Sequence, residues 1–422
     1  MNLDLWPAPL ADAPVDADVR LPGSKSLTNR QLVLAALANS PSRLRHPLRS
    51  RDTQLMADAL VKLGTTIDDD GPDWVITPGQ LRGDVDIDCG LAGTVMRFVP
   101  AVAALADGPV RFDGDETAQV RPMGPVLAGL RQLGVEILAE QDRLPYTVVG
   151  AGSVRGGTVE IDASGSSQFV SGLLLAAPRF DAGVTVRHVG PSVPSRPHIE
   201  MTLAELRAAG AHAVELGPTT WQVAAGPLAG RDIVVEPDLS NAAPFLAAAL
   251  VTGGRITVPD WPSHTTQPGA LLPGIFTQLG AEVSHEGSAL TVRGRGVING
   301  LDLDLSAGGE LAPVLATVLV LANAPSRLRG IGHLRGHETD RLAALETELG
   351  ALGADVQQTP DGLAITPRPL SGGVFHTYHD HRLATAGALL GLVIPGIEVE
   401  NVATTAKTIP EFVTLWQEML TE

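Results

Sequence analysis

The sequence predicts an α/β protein of two domains, each made of three βαββαβ units, with a ligand-binding cleft between the domains. Two observations lead to this prediction: one structural motif recurs along the chain, and the two chain ends complete one further copy of it. The length of 422 residues is enough for two or three domains. Hydrophobic residues make up 44% of the chain and aromatic residues only 4%, so we expect cores of small aliphatic side chains.

The recurring motif begins with a helix that ends in Leu-Gly or Ala-Gly. Two strand-like segments, a glycine-containing bend and a third strand follow it. The glycines that end the five helices lie 70 to 76 residues apart, at Gly64, Gly134, Gly210, Gly280 and Gly353. Self-similarity at a fixed period indicates a repeat architecture, in which neighbouring units complete each other's core.

The third strand of each copy runs into a polar or glycine-rich bend. A run of Ala, Leu and Val follows, long enough for about three helical turns. Serine, threonine, aspartate and asparagine are favoured helix N-caps, and glycine permits close backbone approach. We therefore predict that each bend begins a second helix, at residues 88–94, 162–168, 238–241, 306–310 and 378–382.

The chain ends supply a sixth copy. Residues 410–420 are predicted to form its first helix, and residues 15–20 its last strand, followed by a bend at 21–30 and an apolar helical run at 32–38. Because this N-terminal strand must join the C-terminal copies, we expect one domain to comprise residues 1–20 plus 237–422 and the other residues 21–236. Two short crossings of this kind are typical of a hinge, and a cleft between hinged lobes is a typical ligand site.

The charge balance argues against several classes of partner. The net charge of −17 opposes binding to nucleic acid and to anionic membrane surfaces. It does not exclude a small anionic substrate, because distant charges are screened within about 10 Å at ordinary salt. Basic residues at special positions are therefore informative, and the only lysines are Lys25, Lys62 and Lys407.

Cysteine usage and the absence of targeting patterns favour a cytoplasmic protein. The single cysteine, Cys89, excludes an internal disulfide framework and fits a reducing compartment. The N-terminus lacks a basic region followed by an apolar one, and no apolar run approaches the roughly 18 residues of a membrane span. No Cys/His cluster has zinc spacing, and no Walker A or GxGxxG pattern occurs, so we expect no metal and no nucleotide cofactor.

Six basic residues are predicted to lie at helix starts, where a cation opposes the helix dipole. Taken singly, each has an ordinary explanation as a surface residue or part of a capped helix start. An acidic protein that repeats this arrangement is expected to bind a ligand with more than one anionic group, such as a phosphate and a carboxylate. The six are Lys25, Arg30, Arg121, Arg341, Arg382 and Lys407, with Glu310, Glu338, Asp340 and His337 as acid–base candidates.

Seven motifs in this order resemble the family of 5-enolpyruvylshikimate-3-phosphate synthases, the 3-phosphoshikimate 1-carboxyvinyltransferases, in a form like that of actinobacteria. Together they span nearly the whole chain, although no single one is specific. They are residues 21–30 (LPGSKSLTNR), 91–97 (LAGTVMR), 121–124 (RPMG), 164–169 (SGSSQF), 337–342 (HETDRL), 380–382 (DHR) and 406–408 (AKT).

The resemblance implies the enolpyruvyl transferase fold and a reaction between two small molecules. The enolpyruvyl group of phosphoenolpyruvate would pass to the 5-hydroxyl of shikimate 3-phosphate, by addition and elimination through a tetrahedral intermediate, with release of phosphate. The family uses no metal or organic cofactor, and a cytoplasmic monomer is the family expectation. The pathway implied is aromatic amino-acid biosynthesis through chorismate.

The resemblance also implies roles for individual residues. Those implied for shikimate 3-phosphate are Lys25, Ser26, Arg30, Ser166, Ser167, Gln168, Ser195, Glu310 and His337. Those implied for phosphoenolpyruvate are Lys25, Gly93, Arg121, Gln168, Arg341, Arg382 and Lys407. Glu310 aligns with the base at the substrate hydroxyl and Glu338 with the acid that protonates the methylene carbon, and Lys25 and His337 complete the catalytic set.

The chain departs from the common family pattern at four positions. His337 stands where lysine is usual, His198 where tyrosine is frequent, His333 where asparagine is frequent, and Leu91 where asparagine is common. A histidine can change charge near neutral pH, so His337 bears on the pH profile. Two alternatives remain: the sister transferase that acts on UDP-N-acetylglucosamine, and a non-catalytic anion-binding relative. The sister enzyme uses a loop cysteine, whereas Cys89 precedes Gly90 at a strand end, where a buried thiol is expected.

Overall fold

The computed structural model describes residues 4–421, so residues 1–3 and 422 of the expected domain boundaries lie outside it. The chain forms two compact units. The first unit contains the described residues up to Pro22 together with those from Glu236 onward, and the second contains Gly23–Val235. Each unit is a mixture of helices and sheets with its own hydrophobic core.

Twenty-three strands occur in the described residues, and all are short. They are β1 (Leu5–Pro7), β2 (Asp16–Asp18), β3 (Ser42–Arg45), β4 (Thr66–Asp70), β5 (Asp73–Thr77), β6 (Val85–Asp88), β7 (Asp107–Asp113), β8 (Glu136–Leu138), β9 (Tyr146–Ala151), β10 (Gly157–Ile161), β11 (Val184–His188), β12 (Ala213–Gly217), β13 (Thr220–Val223), β14 (Asp232–Val234), β15 (Arg255–Val258), β16 (Glu282–Glu286), β17 (Ala289–Arg293), β18 (Asp302–Asp304), β19 (Ser326–Arg329), β20 (Asp355–Thr359), β21 (Gly362–Thr366), β22 (Gly373–Phe375) and β23 (Ile397–Glu400).

Thirteen α-helices accompany the strands within residues 4–421. They are α1 (Lys25–Ala36), α2 (Arg51–Lys62), α3 (Gly93–Ala103), α4 (Glu116–Gln119), α5 (Gly124–Gln132), α6 (Gln168–Ala176), α7 (Pro197–Ala208), α8 (Leu239–Thr252), α9 (Leu272–Gln278), α10 (Ala312–Leu319), α11 (Arg341–Ala351), α12 (His381–Gly391) and α13 (Phe412–Thr421). Short 3-10 turns at Gly309–Leu311, Gly332–Gly336 and Val402–Lys407 carry residues of the candidate site.

Five of the six sheets share one topology. Their strand orders are β14-β3-β5-β4, β6-β7-β9-β8, β10-β11-β13-β12, β2-β15-β17-β16 and β18-β19-β21-β20. In each, the first pair is parallel and the other two pairs are antiparallel. The third strand of each sequence repeat therefore joins the sheet of another copy, which links the repeats of a unit by parallel pairing.

The sixth sheet is completed by the chain ends. Strand β22 pairs in parallel with β23, and β1 from the N-terminus pairs with β23 in antiparallel orientation. Among the described residues this sheet has three strands, in the order β1-β23-β22. Strand β2 pairs in parallel with β15, as the expected union of the N-terminal strand with the C-terminal copies requires.

The five repeat glycines end five helices by the same mechanism. Gly64, Gly134, Gly210, Gly280 and Gly353 have φ between +89° and +114°, a region that glycine enters without steric cost. After each glycine, the next backbone N–H returns to a carbonyl in the last helical turn, as in Thr65 to Leu60 at 3.0 Å. This is the Schellman pattern, and it explains why Leu-Gly or Ala-Gly recurs at this spacing.

The helix that follows each polar bend lies in the core of its unit. In the second unit these helices are α1, α3 and α6, which pack on one another, and every residue of α3 is buried. In the first unit they are α8, α10 and α12, again in mutual contact, and every residue of α12 is buried. Their N-termini, with the bends before them, carry part of the candidate site, including Lys25, Gly93 and Arg382.

No helix among residues 4–421 is long and apolar enough to cross a membrane. The same residues contain no cluster of histidine, cysteine, aspartate and glutamate side chains that could hold a metal ion. Cys89 is a free, fully buried thiol at the end of β6, and burial raises its pKa well above the ordinary value. This environment is that of an inert structural cysteine.

Candidate active site

In the first unit, the N-termini of α8, α10 and α12 meet through side-chain contacts. The Arg382 guanidinium donates to the backbone carbonyl of Ser240 at 2.9 Å, and the Ser240 hydroxyl donates to Glu310 at 3.4 Å. Burial lowers the pKa of Arg382, and the nearby carboxylates of Asp238 and Glu310 oppose that effect. The three buried helices thus bring one cation and one carboxylate to the same point.

Arg341 is the centre of a buried ion-pair network beside this point. Its Nε donates to Asp380 Oδ2 at 2.7 Å, and its Nη2 donates to Asp380 Oδ1 and to Glu338 Oε2, both at 3.1 Å. The Arg341 side chain is 3% exposed and that of Asp380 is wholly buried. Burial lowers the pKa of Arg341, but the Asp380 and Glu338 charges outweigh it and the net shift is upward.

Glu338 lies between two cations. Its Oε2 accepts from Arg341, and its Oε1 accepts from the Lys407 ammonium at 2.5 Å. The Lys407 side chain is 4% exposed and that of Glu338 is 10% exposed. A carboxylate held in this way has a fixed orientation, and each of its oxygens has a charged partner.

Two histidines line the same region. The rings of His333 and His337 meet edge to face with centroids 5.5 Å apart, and His337 Nδ1 lies 3.4 Å from Arg341 Nη1. Burial lowers the pKa of His333 to about 4, with Glu310 opposing the shift. His333 is therefore neutral at physiological pH, and its buried Nε2 has no hydrogen-bond partner among the described residues.

In the second unit, Lys25 is the first residue of α1. Ser24 caps the helix by accepting the Leu27 N–H, and Lys25 Nζ donates to Asp52 Oδ2 at 3.3 Å. The Asp52 side chain is 1% exposed, whereas that of Lys25 is 18% exposed. Asp52 therefore anchors an ammonium group that reaches the surface at a helix N-terminus, where backbone N–H groups also favour an anion.

The Arg30 guanidinium is buried and binds mainly protein atoms, whereas the family resemblance implies a direct contact with the ligand. It is 1% exposed, and its guanidinium donates to Thr202 Oγ1 at 2.8 Å, to the Ser26 carbonyl at 2.9 Å and to the His198 carbonyl at 3.0 Å. A longer bond of 3.5 Å joins it to Ser171 Oγ. Burial lowers its pKa to about 10. Arg30 ties the first turn of α1 to α6 and α7, and one Nη1 hydrogen remains for a ligand.

Two arginines converge on Gly93 at the start of α3. Arg97 Nη1 donates to the Gly93 carbonyl at 3.1 Å, and Arg121 Nη1 donates to the Leu91 carbonyl at 3.2 Å. The buried Nε of Arg121 has no partner among the described residues. Because a buried unpaired N–H is costly, this atom is a candidate donor for an anionic ligand.

Hydrogen bonds fix the conformation of the bend before α6. Ser166 Oγ accepts the Gln168 N–H at 3.2 Å, and Ser167 is the buried N-cap residue of α6. Upstream, the Ala163 N–H donates to Nδ1 of buried His188 at 3.0 Å. Ser195, before α7, has φ of +51°, an uncommon backbone conformation for serine that marks a constrained turn.

The structure refines the predicted placement of the six basic residues. Lys25, Arg341 and Arg382 lie in first helical turns, but Arg30 lies in the second turn of α1. Arg121 precedes α5 by three residues, and Lys407 ends the 3-10 turn Val402–Lys407. Sequence reasoning assigned no role to Asp52, Arg97 or His188. The signal available for Arg97 was its place inside the 91–97 motif, whereas Asp52 and His188 stand in otherwise ordinary stretches.

Comparison with known proteins identifies the family. The sequence model of EPSP synthase (3-phosphoshikimate 1-carboxyvinyltransferase) matches residues 11–416. This chain belongs to the EPSP synthase family. It is 59% identical to a 3-phosphoshikimate 1-carboxyvinyltransferase of Kocuria rhizophila, over 99% of this chain and 97% of the relative. The predicted family resemblance is confirmed, including its likeness to an actinobacterial form.

Two solved structures share the fold of this EPSP synthase family member. An EPSP synthase from Acinetobacter baumannii has a TM-score of 0.80 at 23% identity, covering 98% of this chain and 97% of its own. The enolpyruvyl transferase NikO from Streptomyces tendae has a TM-score of 0.76 at 18% identity, covering 97% and 96%. The predicted enolpyruvyl transferase fold class is thereby confirmed.

Proposed function

We propose that this protein transfers the carboxyvinyl group of phosphoenolpyruvate to the 5-hydroxyl of shikimate 3-phosphate and releases inorganic phosphate. The observation that carries the proposal is the Glu338 carboxylate fixed between Arg341 and Lys407, in a chain that matches the EPSP synthase family over residues 11–416. This reaction is a step of the shikimate pathway, which leads to chorismate and the aromatic amino acids.

Phosphoenolpyruvate presents a phosphate and a carboxylate, and both need cations or N–H donors. We assign it to Lys25, Gly93, Arg121, Gln168, Arg341, Arg382 and Lys407. The unpaired Nε of Arg121 and the partly exposed ammonium of Lys25 support this assignment in the second unit. In the first unit, the support is the group of three buried cations around Glu338 and Ser240.

Shikimate 3-phosphate presents a phosphate, hydroxyls and a carboxylate. We assign it to Lys25, Ser26, Arg30, Ser166, Ser167, Gln168, Ser195, Glu310 and His337. The hydroxyl-rich bend before α6 supports the phosphate contacts, because serine O–H and helix N-terminal N–H groups are suitable donors. For Arg30, the contacts of the guanidinium support a role that orients Ser26 and α1, with one N–H left for the ligand.

The chemistry is an addition followed by an elimination. Glu310 accepts the proton of the 5-hydroxyl as the hydroxyl oxygen bonds to C2 of phosphoenolpyruvate. Glu338 receives a proton from the hydrogen-bonded Lys407 ammonium and delivers it to the C3 methylene, which becomes a methyl group. In the second step, Glu338 takes a methyl proton back and returns it to Lys407, and the C2–O bond to phosphate breaks, which restores the double bond. The leaving phosphate takes the proton held by Glu310, so both carboxylates return to their starting state. Lys25 and His337 balance developing negative charge, a form of electrostatic stabilisation that preorganised donors supply.

Three further properties belong to the proposal. We propose a cytoplasmic monomer that works without metal or organic cofactor, and a division into domains of residues 1–20 plus 237–422 and 21–236. The compact units with boundaries at Pro22 and Glu236 support the division. Residues 21–236 expressed alone should unfold cooperatively, and a disordered fragment would contradict the proposed domain. Activity should survive dialysis against EDTA.

The proposed roles are tested by phosphate release in two variants. Glu338→Gln should lower kcat by about 10²- to 10⁴-fold, the range for loss of a general acid. Lys25→Ala should nearly abolish turnover while the circular dichroism spectrum stays unchanged. Full activity in either variant would remove that residue from the site. Phosphate release that depends on UDP-N-acetylglucosamine would instead identify the sister activity.

A further inference from the structure

The turn before α12 has an unusual backbone. Tyr378 and His379 are consecutive, and both have left-handed φ angles, of +53° and +59°. Neither residue is glycine, so each carries a steric cost in this conformation. Such a turn persists only where its surroundings hold it, and this one leads directly to Asp380.

Helix α11 contacts the turn at both ends. Arg341, its first residue, binds Asp380 with Nε and Nη2. Two helical turns further on, Glu348 accepts the His376 N–H at 2.9 Å and the Tyr378 hydroxyl at 2.6 Å. Residues seven apart lie on the same face of a helix, so one helix face fixes the whole turn. Glu348 is 2% exposed, which makes its two contacts strong and its displacement costly.

Further hydrogen bonds stabilise the same conformation of the turn. His379 Nδ1 lies 3.0 Å from the Asn401 side-chain amide, and the His379 carbonyl accepts from Thr404 Oγ1 at 2.9 Å. The neighbouring His376 ring contacts Glu400 at 2.9 Å. Although Tyr378 is 41% exposed, partial desolvation of its hydroxyl and the Glu348 carboxylate raise its pKa to about 12. Its hydroxyl therefore keeps its proton and donates at any working pH.

The conformation of this turn determines the position of Asp380, which contacts two arginines of the proposed site. Asp380 caps α12 by accepting the Arg382 N–H at 2.8 Å and also holds Arg341 with both oxygens. The position of Asp380 thus fixes the Arg341 guanidinium directly, and it fixes the backbone from which the Arg382 side chain extends. We propose that Tyr378 and Glu348 are positioning residues that hold Asp380, and through it Arg341 and Arg382, in the geometry that binds phosphoenolpyruvate. This inference rests on the proposed function and deepens it.

The chain offers a matched control, because Tyr146 and Tyr378 are its only tyrosines. The Tyr146 hydroxyl donates to the Met96 carbonyl at 3.2 Å, within the core of the second unit. Tyr378→Phe and Tyr146→Phe therefore delete the same atom and one hydrogen bond each. We expect Tyr378→Phe to raise KM for phosphoenolpyruvate about tenfold, with KM for shikimate 3-phosphate within twofold of wild type. Tyr146→Phe should leave both values within twofold.

A second substitution separates positioning from general destabilisation. Adding His379→Gly to Tyr378→Phe places glycine at a left-handed position, where it has no steric cost. Because the backbone at position 379 is then unstrained, the turn should keep its conformation without the Tyr378 hydroxyl. The double variant should therefore have a KM for phosphoenolpyruvate within about threefold of wild type. A purely structural role for Tyr378 would instead lower the melting temperature and change both KM values together.

The outcomes distinguish this inference from the proposed function. An active wild-type enzyme whose Tyr378→Phe variant keeps its KM for phosphoenolpyruvate, or raises both KM values equally, would overturn the inference alone. Failure of His379→Gly to lower the raised KM would also count against it. A wild-type protein that releases no phosphate from phosphoenolpyruvate with shikimate 3-phosphate would overturn the proposed function, and this inference with it.

Discussion

Adding one methyl group at Gly93 perturbs the proposed phosphoenolpyruvate site in a calculable way. A Cβ built there lies 2.8 Å from Arg97 Nη1, and 3.2 and 3.3 Å from Arg121 Nη2 and Nη1. Comfortable contacts between such atoms are about 3.5 Å, so Arg97 Nη1 is too close by about 0.7 Å and the Arg121 guanidinium by about 0.3 Å. Gly93→Ala is therefore a local change that affects both arginines.

Arg97 is the less able of the two to move. It is 2% exposed, it donates to the Gly93 carbonyl at 3.1 Å, and its guanidinium lies over the Phe169 ring at 5.4 Å. Arg121 is half-buried and donates to a single carbonyl, that of Leu91. Because each arginine makes its own contact with the added methyl group, we expect a small shift of Arg97 together with displacement of the less constrained Arg121. Loss of one charge-assisted hydrogen bond to substrate costs about 2 kcal/mol, which corresponds to about a 30-fold rise in KM for phosphoenolpyruvate.

The assay is phosphate release with each substrate varied in turn. KM for shikimate 3-phosphate should stay within about threefold, and the melting temperature should hold, because alanine favours a helix more than glycine does. Gly226→Ala is the matched control in the same unit: no atom lies within 4 Å of its built Cβ, and its φ is not left-handed. A folded Gly93→Ala protein with unchanged KM for phosphoenolpyruvate would refute the placement of Arg121 at that substrate.

Two further predictions concern His333, which is partly buried, and His188, which is buried. Between pH 6.5 and about 4, the unfolded state binds a proton that the partly buried His333 ring of the folded state does not bind. The free energy of unfolding should therefore fall as pH falls, by up to about 3 kcal/mol. Urea titrations should show a flatter pH dependence for His333→Asn, and equal slopes would contradict the burial of His333. His188→Asn should keep an acceptor for the Ala163 N–H, whereas His188→Leu should lose about 1–3 kcal/mol of stability and raise KM for shikimate 3-phosphate. Identical behaviour of the two His188 variants, measured by urea unfolding and kinetics, would exclude that acceptor role.

The repeat could be predicted because its signals are local. A glycine that ends a helix at positive φ is required at the same place in each copy, as at Gly64 and Gly353, and it leaves a periodic mark in the sequence. The polar bends are local too, since a cap such as Asp380 or Asp238 contacts N–H groups two or three residues away. The split copy followed from simple counting of these local signals.

Long-range strand pairing leaves no comparable periodic pattern in the sequence. Strand β1 has three residues and gains its place only by pairing with β23, almost 400 positions away in the chain. The pairing of each third strand with the sheet of another copy depends on parallel alignment that local sequence does not encode. Sheet order was therefore beyond what the pattern could predict.

The same distinction holds for the candidate site. Residue types and caps predicted that Lys25 and Arg341 lie at helix starts, where the structure has them. They did not predict that Arg30 contacts Thr202, 172 positions away, or that Asp52 anchors Lys25. These partners are set by how helices pack within a unit, so their roles emerge only from three-dimensional contacts.

The central claim is that this EPSP synthase family member couples the loss of phosphoenolpyruvate to shikimate 3-phosphate. Phosphorus NMR of purified protein with both substrates tests it most directly. The phosphoenolpyruvate resonance should convert to inorganic phosphate in equal amount with the disappearance of shikimate 3-phosphate, and not when that acceptor is omitted or replaced by UDP-N-acetylglucosamine. Phosphate release without shikimate 3-phosphate, or none with it, would contradict the account.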